Sequence, residues 1–342
     1  MSAPAATERR RSIVTRLTLR DKALERRVLR RLDQVEIRLL ECTREVDDPR
    51  LATVVGHLIA AGGKRVRPLL TLLGAEFGDA WAEGVVEAAV FSELVHTASL
   101  HHDDVMDEAL VRHGVTSVNA CWGNRVAVRS GNWLLAKAAR LSAGLTGESA
   151  PLRAEASQRL VQGQLRELVG PALPEDRLPH YFDVISDKSA SLISLSLRLG
   201  AVQAGAPAQV SDALAEYGEQ LGMAFQISDD VLDVASPSAD LGKEQGKDLA
   251  VGVAGLPALL VLEGVGAEDD ELRALLSEPA GLRGGRHARA LALLQRSEAM
   301  GRARALMDER LARARAVLTS LPPGPARQAL DALCDFVGTR TA

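Results

Sequence analysis

The sequence predicts an all-α protein, and three observations point there. Apolar residues recur at three- and four-residue spacing along most of the chain, as one buried face of a helix requires. Alanine, leucine, valine, arginine and glutamate abound while aromatics make up only 3% of 342 residues, a helical rather than a sheet composition. No stretch alternates apolar and polar residues for long enough to read as a strand, and no unit of about 20–50 residues repeats.

Composition narrows the reading further. A chain of 342 residues fits one large domain or two ordinary ones, and 46% hydrophobic content suffices for a sizeable core. A net charge of −4 argues against nucleic acid as the main partner. Cys42, Cys121 and Cys334 are scattered and odd in number, with no CxxC. That argues for a reducing compartment, expected to be the cytoplasm, and against zinc. The N-terminus is charged and lacks the apolar run of a signal peptide. No run reaches about 18 uninterrupted apolar residues, so no membrane-spanning helix is expected.

Taken in order, residues 1–20 are Arg-rich, with ERRR at 8–11. They read as a disordered or loosely packed tail, weak contact with anionic lipid being the alternative. Residues 21–342 make the helical domain. From Asp21, the residues Leu24, Val28, Leu32, Val35 and Leu39 follow helical spacing with Arg and Glu between them. A second helix over 51–61 stops at Gly62-Gly63. Helices follow at 69–77 and 82–102, with the apolar run carried over 94–107. SVNACWGN at 117–124 leads into a helix from about 125 to 143. Residues 151–170, 178–200 and 208–234 read as helices. A Gly/Lys-rich loop covers 241–248, Pro257 opens another helix, and EDDE at 268–271 reads as a solvated loop. Residues 286–318 read as one long helix, broken by Pro322-Pro323 before a last helix at 325–338. His57, His180 and His287 stand alone and read as structural or exposed.

The chemistry starts at LVHTASLHHDDVMD, an apolar run ending in Asp103, Asp104 and Asp107. Positions i and i+4 share a helix face, so Asp103 and Asp107 point the same way with Asp104 beside them. Packed carboxylates repel unless a cation sits among them, and hard oxygen ligands favour Mg²⁺. FQISDDVLD at 225–233 repeats the spacing with Asp229, Asp230 and Asp233. One such triad is a weak signal, and alone it reads first as a solvated helix end. Two, each at a helix C-terminus that already carries partial negative charge, call for a compensating cation. Facing acidic clusters holding Mg²⁺ would trap a polyphosphate, and the apolar helices leading up to them point to a greasy remainder of the substrate.

Two further segments leave alternatives open. Gly62-Gly63-Lys64-Arg65-Val66-Arg67 is either helix punctuation or a bare turn admitting an anion clamped by Lys64 and Arg67. The loop at 241–248 either folds over a phosphate, reached by Lys243 or Lys247, or is solvated surface.

GGKRVRP at 62–68, HTASLHHDDVMD at 96–107, NACWGN at 119–124, DKSASLI at 187–193, GMAFQISDDVLD at 222–233 and GKEQGKDL at 242–249 resemble, in order, the motifs of the trans-type polyprenyl diphosphate synthases. The likeness runs from about residue 24 to 338, and the TSVNACWGN segment is most similar to long-chain members that make quinone side chains. The resemblance implies a single large all-α bundle around a deep central cavity, in a homodimer. It implies condensation of an allylic diphosphate with isopentenyl diphosphate, with about three Mg²⁺ per active site. It makes Asp103, Asp107 and Asp229 metal ligands, supported by Asp104, Asp230 and Asp233. Arg112, Lys188 and Lys243 would hold the allylic diphosphate. Gly63, Lys64, Arg67, His96 and His113 would hold isopentenyl diphosphate, and Ser189 and Gln226 would lie beside the nascent carbocation. No protein nucleophile is needed, only charge stabilisation, orientation and exclusion of water. Ala98 and Ser99, one turn before Asp103, are small where short-chain members are bulky, which implies a long product. Phe91 is either the cavity floor or ordinary core. Transient membrane contact would serve release of such a product.

Four positions depart from the family. His113 stands where a second Arg follows Arg112, Asn132 replaces an Asp, His101 replaces an aliphatic residue, and AVGVAGLP at 250–257 lacks basic and Thr residues. A histidine is only partly charged near neutral pH, so weaker isopentenyl diphosphate binding is expected. Three other functions remain. A cyclase acting on one allylic diphosphate would not need Lys64, Arg67 and His96. A regulatory subunit would not need intact acidic clusters. A phosphohydrolase built on His101-His102-Asp103-Asp104 leaves the second triad unexplained.

Overall fold

The computed structural model describes residues 19–173, 177–236, 245–264, 269–278 and 281–340. Of the Arg-rich tail, residues 1–18 lie outside it, while Leu19 is buried. The architecture is all-α, in two compact units. Residues 1–156, 192–216 and 317–333 make the first; residues 157–191, 217–316 and 334–342 make the second.

In the first unit, α1 (Lys22–Arg44) begins where the Asp21 carboxylate accepts the Leu24 N–H at 2.7 Å, a side-chain N-cap. Leu24, Val28, Leu32, Val35 and Leu39 are all buried, as their spacing requires. In α2 (Pro49–Ala61) Asp48 caps the start, Pro49 sits in the first turn and Gly62 stops the helix at φ 88. Then come α3 (Val66–Ala75) and α4 (Gly84–Met106), the helix carrying the first aspartates. It packs against α1, α3 and α6 (Asn124–Ser142) and is buried along most of its length.

Between α4 and α6 lie a hairpin, β1 (Val111–Arg112) with β2 (Val115–Thr116), and the short α5 (Val118–Trp122). No strand is expected from the sequence, and two-residue strands are too short to show alternation. The turn residues His113 and Gly114 have φ of 54 and 79, the double left-handed geometry of a tight hairpin. The helix predicted at 178–200 is not continuous. It divides into α8 (Arg177–Ile185), a π-helical turn at Ser186–Ala190, and α9 (Ser191–Gln203). Here α9 belongs to the first unit, where Gly200 and Gly74 let its backbone touch that of α3: a methyl on either glycine would overlap a carbonyl oxygen, of Thr71 or of Leu197.

In the second unit the π turn packs against α7 (Ser149–Val169). A Cβ at Gly163 would lie 2.5 Å from the Lys188 nitrogen, so only glycine permits that approach. The widened turn also carries Asp187 to Arg159 (2.8 Å) and to Arg166. Such turns concentrate at functional sites. The second aspartates ride on α10 (Ala208–Ala235). The loop expected over 241–248 ends early, because α11 spans Lys247–Val251; residues 241–244 lie outside the described chain. Then follow α12 (Leu256–Glu263) and α13 (Asp270–Leu276). Asp270 and Glu271 are thus helical rather than loop, in a first turn where negative charge is favoured; Glu268 lies outside the described residues. The long helix expected at 286–318 is two, α14 (Gly284–Leu294) and α15 (Glu298–Leu318). Gln295 caps α14 with its N–H on the Leu291 carbonyl at 3.0 Å and its side-chain Nε2 on the Val234 carbonyl at 2.9 Å, and the Ser297 hydroxyl accepts the Ala299 N–H at 3.2 Å. The last helix is α16 (Pro325–Thr339).

Candidate active site

The first carboxylate set sits where α4 ends. Asp107 is the cap residue, its N–H donating to the Asp103 carbonyl at 2.8 Å. Asp103 is half-buried and Asp107 exposed, one turn apart as predicted. Asp104 differs. It is wholly buried, and its Oδ1 accepts from Arg112 Nε at 2.7 Å and Nη2 at 2.5 Å. Asn119 Nδ2 donates to the Asp104 and Ala109 carbonyls at 3.0 Å each. Asp104 therefore fixes the hairpin strand that carries Arg112 beside the helix end.

Positive charge gathers on the same side. Arg67 is drawn down to about 10 by burial, against the pull of Glu93 and Asp103, and its buried Nε has no hydrogen-bond partner among the described residues. Burial holds His96 well below the usual imidazole range, and Arg67, His113, Arg112 and Arg65 add to that. His96 is therefore a neutral imidazole within electrostatic reach of four basic side chains. Such a group of donors, one of them unsatisfied, is built to receive an anion. Lys64 is exposed beside it. Gly63 has φ 157, a backbone that L side chains rarely adopt, and an added Cβ would also crowd Arg65 Nη1 at 3.2 Å and His113 Cε1 at 3.3 Å, so the turn favours glycine.

Arg65 is the surprise of this turn. Its side chain is 2% exposed and its φ is 51. Nε and Nη2 donate to Glu36 at 3.0 and 3.2 Å, Nη1 to Glu93 at 2.9 Å, and Nη2 to the Ile59 carbonyl at 2.8 Å. Arg65 is an internal tie between α1, α2 and α4 that shapes the turn presenting Lys64 and Arg67.

The second set is organised differently. Asp229 is the accessible member, paired with Arg340 Nη2 at 2.6 Å. Asp230 is buried and pushed up to about 6 by that burial, against bonds from Leu256 N–H (2.9 Å), Tyr181 Oη (2.7 Å) and Gln226 Nε2 (3.1 Å). Asp233 is 2% exposed. Its Oδ2 accepts the Asp248 N–H at 3.3 Å and its carbonyl the Gly246 N–H at 2.8 Å, so it holds the end of the Gly/Lys loop. His287 Nε2 bonds the Gly246 carbonyl at 2.9 Å from the other side. The triad thus has one outward carboxylate and two that brace neighbouring segments. Ser189 and Gln226, expected together, are together: Oγ to Oε1 is 3.1 Å. Lys188 is ion-paired with Glu167, and Lys243 lies outside the described residues.

Among the described residues no three His, Cys, Asp or Glu side chains form a preformed metal cage. The donors fit Mg²⁺ nonetheless. Each set offers accessible carboxylate oxygen, Asp103 and Asp107 where α4 ends and Asp229 within α10, and Mg²⁺ is typically held by one or two carboxylates, water and substrate phosphate.

The remaining predicted positions fall as follows. Ala98 is fully buried, and Ser99 is half-buried with Oγ bonded to the His96 carbonyl at 2.8 Å. Phe91 is 4% exposed with the Arg153 guanidinium 6.0 Å from its ring centroid. Asn132 is exposed. His101 is buried, with Nδ1 2.8 Å from Ser130 Oγ. That hydroxyl donates to the Ala127 carbonyl at 2.8 Å, so Nδ1 carries the proton, and burial pushes the imidazole down to about 4. His57 Nε2 bonds the Thr116 carbonyl at 2.7 Å and its ring meets Trp122 edge-on, a structural role as expected. Sequence reasoning missed Arg65, Tyr181, Arg340 and the Arg159–Glu219 pair (2.6 Å). No spacing marks any of them, because each acts through a partner distant in the chain.

Residues 48–294 match the family model described as polyprenyl synthetase. The chain is 43% identical over 291 residues to a nonaprenyl diphosphate synthase of Mycobacterium tuberculosis, covering 83% of this chain and 85% of that one. A polyprenyl synthase from Caulobacter crescentus, solved with calcium and isoprenyl diphosphate, superposes with a TM-score of 0.86 at 32% identity over 96% of this chain and 98% of that one. A decaprenyl diphosphate synthase from Rhodobacter capsulatus gives 0.85 at 31%, over 94% and 99%. Two DDxxD helix ends, the anion-receptive turn and the paired Ser189 and Gln226 agree with these matches across nearly the whole length: the chain belongs to the polyprenyl synthetase family.

Proposed function

We propose that the chain is a prenyltransferase that condenses an allylic diphosphate with isopentenyl diphosphate into a long all-trans polyprenyl diphosphate. The observation carrying this is the group around His96: Arg67 with an unsatisfied buried donor, Arg112 and His113, next to the Asp103 end of α4. A chain that ionised one diphosphate only would have no use for that second anion receptor. Mg²⁺ at Asp103, Asp107 and Asp229, about three ions in all, would neutralise the diphosphate oxygens and the leaving charge. Arg112 and Lys188 orient the allylic diphosphate, Lys64, Arg67, His96 and His113 the isopentenyl diphosphate. Ser189 and Gln226 present oxygen dipoles to developing positive charge.

The purified chain with Mg²⁺, labelled isopentenyl diphosphate and each allylic primer in turn should give prenyl products resolved by chromatography. A hydrocarbon from geranylgeranyl diphosphate alone would establish a cyclase instead. Activity only on adding a second, different chain would establish a heteromer.

Two residues are expected to tune the reaction. His113→Arg should lower the Michaelis constant for isopentenyl diphosphate several-fold, by roughly the 1 kcal/mol that a fixed fork adds over a partly charged ring. An unchanged or higher constant counts against the assignment. Ser99→Phe should shift the product to shorter chains, since a half-buried position one turn from Asp103 accepts bulk more readily than fully buried Ala98; an unaltered product ladder removes Ser99 from the chain-length path.

The chain works as a homodimer in the cytoplasm. Val161, Leu165, Leu168 and Val169 leave an apolar stripe exposed along α7, the surface an obligate partner covers. Light scattering that returns a monomer mass would refute the dimer. No helix among the described residues is long and apolar enough to cross a membrane; release of a long apolar product would use transient membrane contact. Cys42, Cys121 and Cys334 form no disulfide among the described residues.

A further inference from the structure

Arg340 follows the last turn of α16 and reaches Asp229, the accessible carboxylate of the second set. Its Nη2 donates to Asp229 Oδ1 at 2.6 Å. The guanidinium carbon lies 4.6 Å from the Phe225 ring centroid and 5.9 Å from that of Phe336. Phe225 is on α10 one turn before Asp229, and Phe336 is on α16, so rings from two helices hold the fork against the carboxylate. The Arg340 side chain is only 18% exposed, and its buried Nη1 has no hydrogen-bond partner among the described residues.

An ion pair that merely pinned the C-terminus would not need this arrangement. A buried, unsatisfied donor costs about 1–3 kcal/mol, and that cost is met when an acceptor arrives. The carboxylate engaged is also the one the proposed function gives to a divalent ion. A guanidinium there repels that ion and competes for Oδ1. A diphosphate reverses the balance, because its oxygens can take both Nη1 and Nη2 as a planar fork while the carboxylate turns to the metal.

We propose that Arg340 makes metal capture at Asp229 conditional on a diphosphate, competing with the ion when the site holds no anion and joining it in binding once one is present. The inference rests on the reading of Asp229 as a metal ligand. It makes Arg340 a positioning residue for the reaction, and it predicts reciprocal coupling between metal and diphosphate.

The test is direct metal binding by the full-length chain, with Mn²⁺ as probe and free Mn²⁺ counted by its paramagnetic resonance signal. Titrations are run alone and with methylenediphosphonate, corrected for the Mn²⁺ that the diphosphonate binds in solution. Arg340→Gln is expected to bind Mn²⁺ alone roughly tenfold more tightly than the parent, and to gain less on adding the diphosphonate. Phe336→Leu, which loosens the fork but keeps the charge, should shift affinity the same way by a smaller factor; it also covers a failure of Arg340→Gln to fold. Asp229→Asn should weaken Mn²⁺ binding in either condition. If Asp229→Asn titrates like the parent, the metal role of Asp229 fails and the proposal with it. If Asp229→Asn loses binding while neither Arg340→Gln nor Phe336→Leu moves it, the proposal alone is overturned.

Discussion

Asp103→Ala is expected to lower kcat by at least about 10²–10³-fold while leaving the fold intact, the scale on which removing one electrostatic contact to a developing charge acts. Asp103 and Asp107 are the accessible acids where α4 ends, and the third acid of the triad is committed to Arg112. Nothing else in that set can replace the lost oxygen. Asp103 lies in the last turn of a helix whose partial charge is already negative, which offsets the loss of its attraction to Arg67, so the fold should survive its removal. The measurement is kcat with labelled isopentenyl diphosphate at saturating Mg²⁺, beside a thermal melt. A variant that keeps more than about a tenth of the parent rate would refute the assignment. Asp230→Asn offers a contrast. Its oxygens are spent on Leu256, Tyr181 and Gln226, so its loss acts through the placement of Gln226 and Ser189.

Arg65→Met should be the most destabilising single change in the first unit, by about 3–5 kcal/mol, because it strands Glu36 and Glu93 as buried charges without their cation. Burial alone would push the Arg65 guanidinium down, but Glu93 and Glu36 more than offset it and hold it above its ordinary range. The pairing is therefore strong in place and costly to break from one side. A companion variant with Arg65→Met, Glu36→Gln and Glu93→Gln together should recover most of the lost stability, since no bare charge remains. Denaturant midpoints of the parent and both variants check this. If the triple variant is no more stable than the single one, packing rather than charge is what Arg65 supplies. In the single variant the turn should loosen, and the Michaelis constant for isopentenyl diphosphate should rise through Lys64 and Arg67.

Much of the molecule was legible before any coordinates. The register of α1 follows from Leu24 to Leu39, the stop at Gly62 from a residue that takes positive φ, and the shared face of Asp103 and Asp107 from the helical repeat. These are local properties, decided by residues within a turn or two of one another. What stayed hidden is of another kind. At the break over 295–297 the Gln295 side chain bonds the distant Val234 carbonyl, and the π turn at 186–190 needs the room that Gly163 of another helix leaves. Arg65 sits among the basic residues of a turn that reads as an anion clamp, yet burial between Glu36 and Glu93 makes it a strut.

By itself, then, the sequence determined the all-α class, most of the helices, the two acidic triads and the class of chemistry, because period, capping and charge repulsion act over short spans of chain. Only the tertiary structure decided which aspartates of each triad remain accessible, and that Arg340 holds Asp229. Whether a carboxylate meets solvent, a backbone N–H or a guanidinium depends on what long-range packing brings to it, and no spacing along the chain encodes that.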